Sequence, residues 1–389
     1  MITDRKYNHT RGEIKVARLS REKLNELKGK YNTDRIWSYS RMNSYVNMPW
    51  EYYIKYVLRK KVDTSNAWTY QGTAVHDIIQ DHIKGKYPHE KMLELFDELQ
   101  IKHQIEKPEL KFPNDSIKES YIENLRHYFK NIDYSDIKDL ETAIEMPIKV
   151  VFKDSNGQNI LFIGYADLIY REGDKFYIVD FKTSSKGKFS GASLEESAKQ
   201  LKIYAIGLHQ MFNVDYENII LRFDMQKYVK VSFLQKNGKW SKPTLQERRE
   251  WVASQMNRIN KLLTDNDVDL ITATDMINVA LEENSLDSLP DYVQEKFKLD
   301  KGTIDVEMNA DKAKETERDV VSTIEEILLK EKSDNPEEAF PEPRLEDESF
   351  YLYNLAPGLL EYHEEYLNRQ KIKESFVSSQ SSILDDLLS

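Results

Sequence analysis

The sequence predicts an α/β fold whose centre is a helix, a three-stranded antiparallel meander, a second helix and a further strand, with helical additions at both ends. Three observations predict it. "QGTAVHDIIQDHIKGK" and "SLEESAKQLKIYAIGLHQM" repeat apolar residues at helical spacing. Between them, "ETAIEMPIKVVF", "NILFIGYADLIY" and "FYIVDFKTS" are runs rich in β-branched and aromatic residues. The turns that join these runs are "KDSNGQ", in which Asn156-Gly157 is a hairpin signal, and "REGDK".

Taken in order, the chain up to about residue 70 is basic, aromatic and helical. In "SYSRMNSYVNMPWEYYIKYVLRKK", Tyr45, Trp50, Tyr53 and Tyr56 come close to helical spacing as core residues, and Pro49 suits a helix start. The next helix is expected from about Thr73, with Val75, Ile78, Ile79 and His82 on one face. A polar, amphipathic stretch leads to about Leu140, where the meander begins. The helix after the meander is expected to begin near Ser193, with Ser193 and Glu196 as a capping box. "NIILRFDM" and "VKVSFL" suggest a further strand pair. Beyond Pro243, "TLQERREWVASQMNRINKLL" reads as helix and "EKSDNPEEAFPEPRLEDES" as a loop or linker. The expected regions are thus 1–70, a core at 71–240, and a helical, acidic region at 241–389.

Composition narrows the function classes. At 389 residues and 40% hydrophobic content the chain can bury one large core or two smaller ones. There is no apolar run of membrane-spanning length, and "MITDRKYNHTRGEIK" is not a signal peptide, so a cytoplasmic chain without membrane contact is expected. The absence of cysteine excludes disulfides, thiolate catalysis and any Cys-ligated zinc or iron–sulfur site. His76 and His82 are six apart and cannot share a helix face as a zinc pair would, so zinc is not expected. The net charge of −11 is unevenly spread, because residues 1–61 hold 15 Lys/Arg against 6 Asp/Glu. An acidic total therefore does not exclude a nucleic-acid partner.

One stretch carries chemistry. In "GYADLIYREGDKFYIVDFKTS", Asp180 and Lys182 are two apart on a strand and share a face, while Val179 and Phe181 share the other. The turn returns the chain so that Asp167 can converge on Asp180. Two converging carboxylates repel unless a cation sits between them, and oxygen donors without sulfur favour Mg2+ or Mn2+. That set suits phosphodiester hydrolysis, with Lys182 orienting the nucleophile and stabilising the charge that develops on phosphorus. An isolated Asp-x-Lys is ordinarily a surface ion pair. Here the apolar run before it, Gly164-x-x-Asp167 upstream, and Gln200 and Tyr204 downstream set it apart.

From roughly Trp37 to Phe233 the sequence resembles the PD-(D/E)xK nucleases, whose core is restriction-endonuclease-like. Within them it resembles the RecB-like exonuclease branch, which includes CRISPR-adaptation nucleases and many phage exonucleases. "SYSRMNSYVNMPWEYYIKYV", "GTAVH", "GYADL", "VDFKT" and "QLKIYA" occur in the family's order. The resemblance implies metal ligation by Asp167, Asp180, His76 and Glu145, and catalysis by Lys182 with both aspartates. Gln200 and Tyr204, four apart on one helix face, would support Lys182 or bind a phosphate. Lys186, Lys188, Lys199 and Lys202 surround the site and would contact DNA phosphates. The implied function is a DNA exonuclease of recombination, repair or phage DNA metabolism, in the host cytoplasm if phage-encoded. A catalytically silent DNA-binding module and an RNA-directed nuclease remain the alternatives.

The chain departs from the family at one place. Many relatives carry a cysteine before the proline of the first segment and three more near the C-terminus, which together hold an iron–sulfur cluster. Here the first position is Met48, and packing by Phe350, Tyr351, Tyr353, Tyr362 and Tyr366 is the expected substitute. The tail "SFVSSQSSILDDLLS" suggests a docking peptide for a replication or recombination partner such as a sliding clamp.

Overall fold

The structure, a computed structural model, describes residues 18–375. Residues 376–389, and with them nearly all of the tail read as a docking peptide, lie outside the described residues. The described residues open with α1 (Arg21–Lys30), capped by the Ser20 side chain, and the short strand β1 (Ile36–Trp37). The aromatic stretch forms two helices, α2 (Tyr39–Asn47) and α3 (Pro49–Tyr52), parted at Met48, whose backbone is extended. Pro49 occupies the first turn, where its missing N–H loses no hydrogen bond. The next helix, α4 (Ala67–Ile83), starts at Ala67 rather than near Thr73, because Asn66 and Thr69 form a reciprocal capping box. Two more helices, α5 (Glu90–Glu106) and α6 (Asp115–Asn131), fill the polar stretch before the meander.

The meander forms as expected: β2 (Glu141–Lys153), β3 (Asn159–Glu172) and β4 (Lys175–Lys182) pair antiparallel in sequence order. Gly157, at φ +77°, supplies the left-handed residue that closes the first hairpin. The helix expected from Ser193 is instead two: the short, largely exposed α7 (Gly191–Ser197), and α8 (Lys199–Phe212), buried continuously from Leu201 to Leu208. The chain turns between them at Ala198, and Ser193 makes no cap.

A second correction concerns the two expected strands after α8. They are one 15-residue strand, β5 (Ile219–Phe233), which carries Gln226 and Lys227 through its middle at an irregularity in pairing. After Pro243 comes a strand, β6 (Thr244–Glu247), and only then α9 (Met256–Thr264), α10 (Leu270–Glu283) and α11 (Asp291–Gln294). An unanticipated strand, β7 (Phe297–Glu307), pairs antiparallel with β5, and α12 (Ala310–Lys330) follows. The sheet and its core thus continue well past residue 240. Nor is the proline-containing acidic stretch a free linker. Within it, α13 (Pro336–Ala339) delivers Phe340 to the core, stacked on Tyr53.

Helices cover both faces of the sheet. On one face α2, α3, α8 and α12 bury residues such as Tyr45, Tyr52, Leu201, Ile203 and Ile324 against Ile148, Phe162 and Phe223. On the other, α4, α5 and α6 bury Val75, Ile79, Phe96, Leu125 and Phe129 against Leu168, Val179 and Phe181. A third cluster joins α9, α10 and α11 to the far end of β5. In the fourth, Met48, Trp50 and Ile54 meet Leu352, Leu359 and Leu360, so the two ends of the described chain close by apolar packing. Of the five aromatics expected there, Tyr351, Tyr362 and Tyr366 pack against this cluster, whereas Phe350 and Tyr353 are exposed. The correction has a simple cause. The leucines of that segment face inward, and Trp50 takes the edge of buried His363 at 5.4 Å.

The pairing pattern opens the sheet at one point. β4 ends at Lys182, antiparallel to β3 and parallel to β5. Beyond that end, β3 pairs with β1 and β5 pairs with β6. The sheet forks there, and the end of β4 lies at the base of the fork.

Candidate functional site

Asp180 and Lys182 stand at this carboxyl end of β4, the place where ligands bind in open α/β sheets. Val179 and Phe181 anchor the strand in the layer beneath α4, so the alternation holds Asp180 and Lys182 on the opposite face. Lys182 Nζ lies 2.5 Å from Asp180 Oδ2. Regular pairing of β3 with β4 stops at Leu168 and Val179. One residue on, Asp167 Oδ2 accepts a hydrogen bond from the Phe181 N–H at 3.0 Å, standing in for a backbone carbonyl and fixing this carboxylate to the strand of Asp180. From α4, His76 Nδ1 reaches to 3.7 Å of Asp167 Oδ2, and its ring meets Phe181 edge-on. Gly72, one turn earlier, lets α4 approach the strand end: a Cβ there would lie 3.3 Å from Thr183 Oγ1.

The charges of this group are strained. Burial, and then the charge of Asp180, push Asp167 up to about 7, against the opposing effect of the Phe181 N–H. Burial holds His76 below its ordinary value, which favours neutral imidazole, the form that ligates metals. Burial alone would lower Lys182, but the charge and hydrogen bond of Asp180 outweigh it and the net shift is upward, so it stays an ammonium. Among the described residues no group of three or more His, Asp and Glu side chains converges closely enough to hold a metal ion as it stands. The donors nevertheless fit a divalent cation of the Mg2+ or Mn2+ type: they are oxygens and imidazole, and a cation would offset both the burial and the Asp180 charge that raise Asp167.

Glu145 adds a backbone signal. It has φ +51° within β2, a left-handed conformation unfavourable for a residue with a Cβ, costing about 1–2 kcal/mol. Its flanking pairs are Ile144 with Leu168 and Met146 with Ala166, which sets Glu145 opposite Asp167. At this pair both strands exchange faces. Ile144 and Leu168 pack into the α4–α6 layer, whereas Ala166, with Met146 against it, belongs to the α2–α8–α12 layer. In a regular strand residues two apart face the same way. The switch takes Glu145 and Asp167 out of alternation together, and the charge of Glu145 contributes to the upward shift of Asp167. Strain of this kind collects at functional sites.

The model of the PD-(D/E)XK nuclease superfamily matches residues 36–334. The chain belongs to the PD-(D/E)XK nuclease superfamily. No curated protein matches the chain. Members of this superfamily are nucleases, hydrolases of phosphodiester bonds that generally use divalent metals such as Mg2+, with DNA the implied substrate. The matched span runs from β1 to just beyond α12, and so takes in β7 as well as the meander. Among the described residues no helix is long and apolar enough to cross a membrane.

Around the acids of this PD-(D/E)XK chain, Gln200 Nε2 donates to Tyr204 Oη at 2.9 Å. Burial pushes the Tyr204 phenol up to about 12. Its ring crosses β3 over Gly164, where a Cβ would come within 2.3 Å of Cε1. The glycine of Gly164-x-x-Asp167 therefore makes room for Tyr204. Two neighbours escaped the sequence reading. Tyr39, at the start of α2, is pushed up to about 12 by burial, then by the charges of Glu196 and Asp180. Asp77, beside His76, is shifted upward by burial, then by Asp81 and Glu145. The signal for Tyr39 was its place between the two serines of "SYS", and for Asp77 its adjacency to the histidine.

The four lysines divide. Lys186 and Lys188 are exposed on the turn after β4, with Lys186 Nζ 2.7 Å from the Leu245 carbonyl. Lys199 is paired with Glu196 at 3.1 Å. Lys202 corrects the expectation of a phosphate contact: it is buried on α8, and its ammonium is neutralised by Glu195 at 2.7 Å.

Proposed function

We propose that the chain is a divalent-metal-dependent deoxyribonuclease of the RecB-like exonuclease kind, serving recombination, repair or phage DNA metabolism. The observation that carries this reading is the Asp180–Lys182 pair at the fork, beside an Asp167 that burial and then neighbouring charge have pushed up to about 7. Asp167, Asp180, His76 and Glu145 are the residues that would hold Mg2+ or Mn2+. When bound, such a cation supplies positive charge against the phosphate and lowers the pKa of water.

The rest falls to the chain's own groups. Asp180 holds Lys182 protonated and aimed. Lys182 orients the attacking water by hydrogen bonding and offsets the charge that builds on the phosphate oxygens. Tyr204, positioned by Gln200 and Gly164, presents its hydroxyl near the acids and can bind a neighbouring phosphate. Lys186 and Lys188 are the exposed cations left to follow the DNA backbone. The hydrogen-bonded Gln200–Tyr204 pair beside the acids supports the RecB-like branch.

The test is digestion of end-labelled single- and double-stranded linear DNA, closed circles and RNA, with Mg2+, Mn2+ or EDTA, by wild type and Lys182→Ala. Metal-dependent loss of linear DNA with survival of circles, absent in the variant, is the expected result. Cutting of circles would make it an endonuclease, and degradation of RNA alone would move the substrate. DNA retention without cleavage in any metal would leave only a binding module.

A further inference from the structure

Away from the fork, where α6 meets the C-terminal helices and β7, lies a pocket of about 400 Å3. That volume suits a small ligand. Its deepest charge is Arg248, which is 3% exposed. The guanidinium makes no ion pair among the described residues, and its Nε is buried without a hydrogen-bond partner. Its company is the ring of Tyr128, 5.0 Å away. The buried carboxylate of Asp224 feels the charge of Arg248 but stays beyond ion-pair distance; its Oδ2 accepts hydrogen bonds from Tyr128 and Tyr134, and its Oδ1 is buried without a partner. A guanidinium cannot discard its charge as a buried lysine can, so one left unpaired in the interior calls for a counter-ion.

The same pocket is lined by Lys130, Lys301 and His127, whose Nδ1 is also buried and unpartnered. Burial, then the charge of Arg248, push His127 down to about 4, which leaves it a neutral hydrogen-bonding group. Asp133, Glu283 and Asp287 are exposed at the margin, and Asp300 of β7 is half-buried in the lining. Acids at the mouth and a guanidinium at the bottom disfavour a polyanion such as duplex DNA and admit a small anion that fits past them.

We propose that this pocket binds a small phosphate-class oxyanion, anchored by Arg248. Arg248 supplies the fork geometry that phosphate oxygens match, with Lys130 and His127 as further donors. The ligand is inorganic phosphate or a nucleoside monophosphate. The site is separate from the acids of β3 and β4, and its existence does not rest on nuclease activity.

The test is thermal melting and calorimetric titration in EDTA with inorganic phosphate, deoxyadenosine 5′-monophosphate and deoxyadenosine. The proteins are wild type, Asp180→Asn, Arg248→Met and Lys130→Glu. Phosphate and the monophosphate should raise the melting temperature of wild type and Asp180→Asn with concentration, while deoxyadenosine should not. Arg248→Met should bind at least about tenfold more weakly, yet melt cooperatively without anion at the wild-type temperature or above it, since an unpaired buried charge has been removed. A purely structural arginine would instead give a lower melting temperature and an unchanged response. Tighter binding of the monophosphate would identify a nucleotide, and equal affinities inorganic phosphate. No response in wild type, or an equal response in Arg248→Met, overturns the proposal. Should Arg248→Met fail to fold, an undiminished response in Lys130→Glu overturns it.

Discussion

Phe181 on β4 and Asp224 on β5 are register partners, and the acids on either side of that pairing, Asp180 and Asp224, are both buried. They are treated in opposite ways. Asp224 is enclosed by two tyrosine hydroxyls on one oxygen, and burial holds it above the ordinary carboxylate range. Asp180 stands at the fork with an ammonium at 2.5 Å, and its charge adds to burial in raising the titration of Asp167. Burial is common to both places. What differs is that the fork gathers negative charge that one lysine does not cancel, whereas the β5 site sets its single acid between the charge of Arg248 and two neutral hydroxyls.

The largest effect should separate the two acids by function. Lys182→Ala and Asp180→Asn are expected to lower the rate of DNA hydrolysis by at least about 10^3-fold while the circular dichroism spectrum is kept. Asp224→Asn should leave the rate within about threefold and change stability by about 1–2 kcal/mol. Equal losses of activity in all three would erase the distinction.

Asp167 gives the next effect. Its folded pKa, about 7, lies above the ordinary 3.8, so the folded state binds a proton that the unfolded chain has released. Its contribution is greatest below about pH 4 and is lost as pH rises through 7, by about 2–4 kcal/mol after screening. Melting temperatures in EDTA should therefore carry a downward component between pH 5 and 8. Mg2+ should reduce it, and Asp167→Asn should remove it. A slope identical in wild type and Asp167→Asn would mean that another group is responsible.

Gly164→Ala should displace Tyr204 at a cost of about 1–3 kcal/mol in stability, seen as a lower denaturation midpoint, with a fall in activity. Smallest is Glu145→Gly. It relieves the left-handed backbone and should raise stability by about 1 kcal/mol while weakening metal-dependent activity, a split readable from melting and rate together.

The sequence reading reached the meander, its Asn156-Gly157 turn and the Asp180-Phe181-Lys182 end because each rests on contacts within a few residues. It missed what tertiary structure decides. β5 was divided at Gln226-Lys227, since polar residues in a strand interior read as a turn when nothing shows that β7 will pair on either side of them. β7 itself, "FKLDKGTIDVE", has the lysines, acids and glycine of an edge strand and too little alternation to stand out. Glu145 was located but not its backbone, because a switch of face at a strand pair depends on two helical layers that meet there. Lys202 was misplaced for a related reason: position on a helix does not tell which lysine will find a partner such as Glu195.

The link between the first helices and α12 bears on synthesis. Arg35 and Tyr52 bond Glu331 at 2.7 Å each, and Tyr45 reaches Glu326 at 2.5 Å, across nearly three hundred residues of chain. Those helices carry Tyr39 to the neighbourhood of Asp180. A chain still on the ribosome, with α12 in the exit tunnel, lacks this clamp. Nucleic acid in the surrounding cell would first meet a completed site only after synthesis has passed α12 and that helix has left the tunnel.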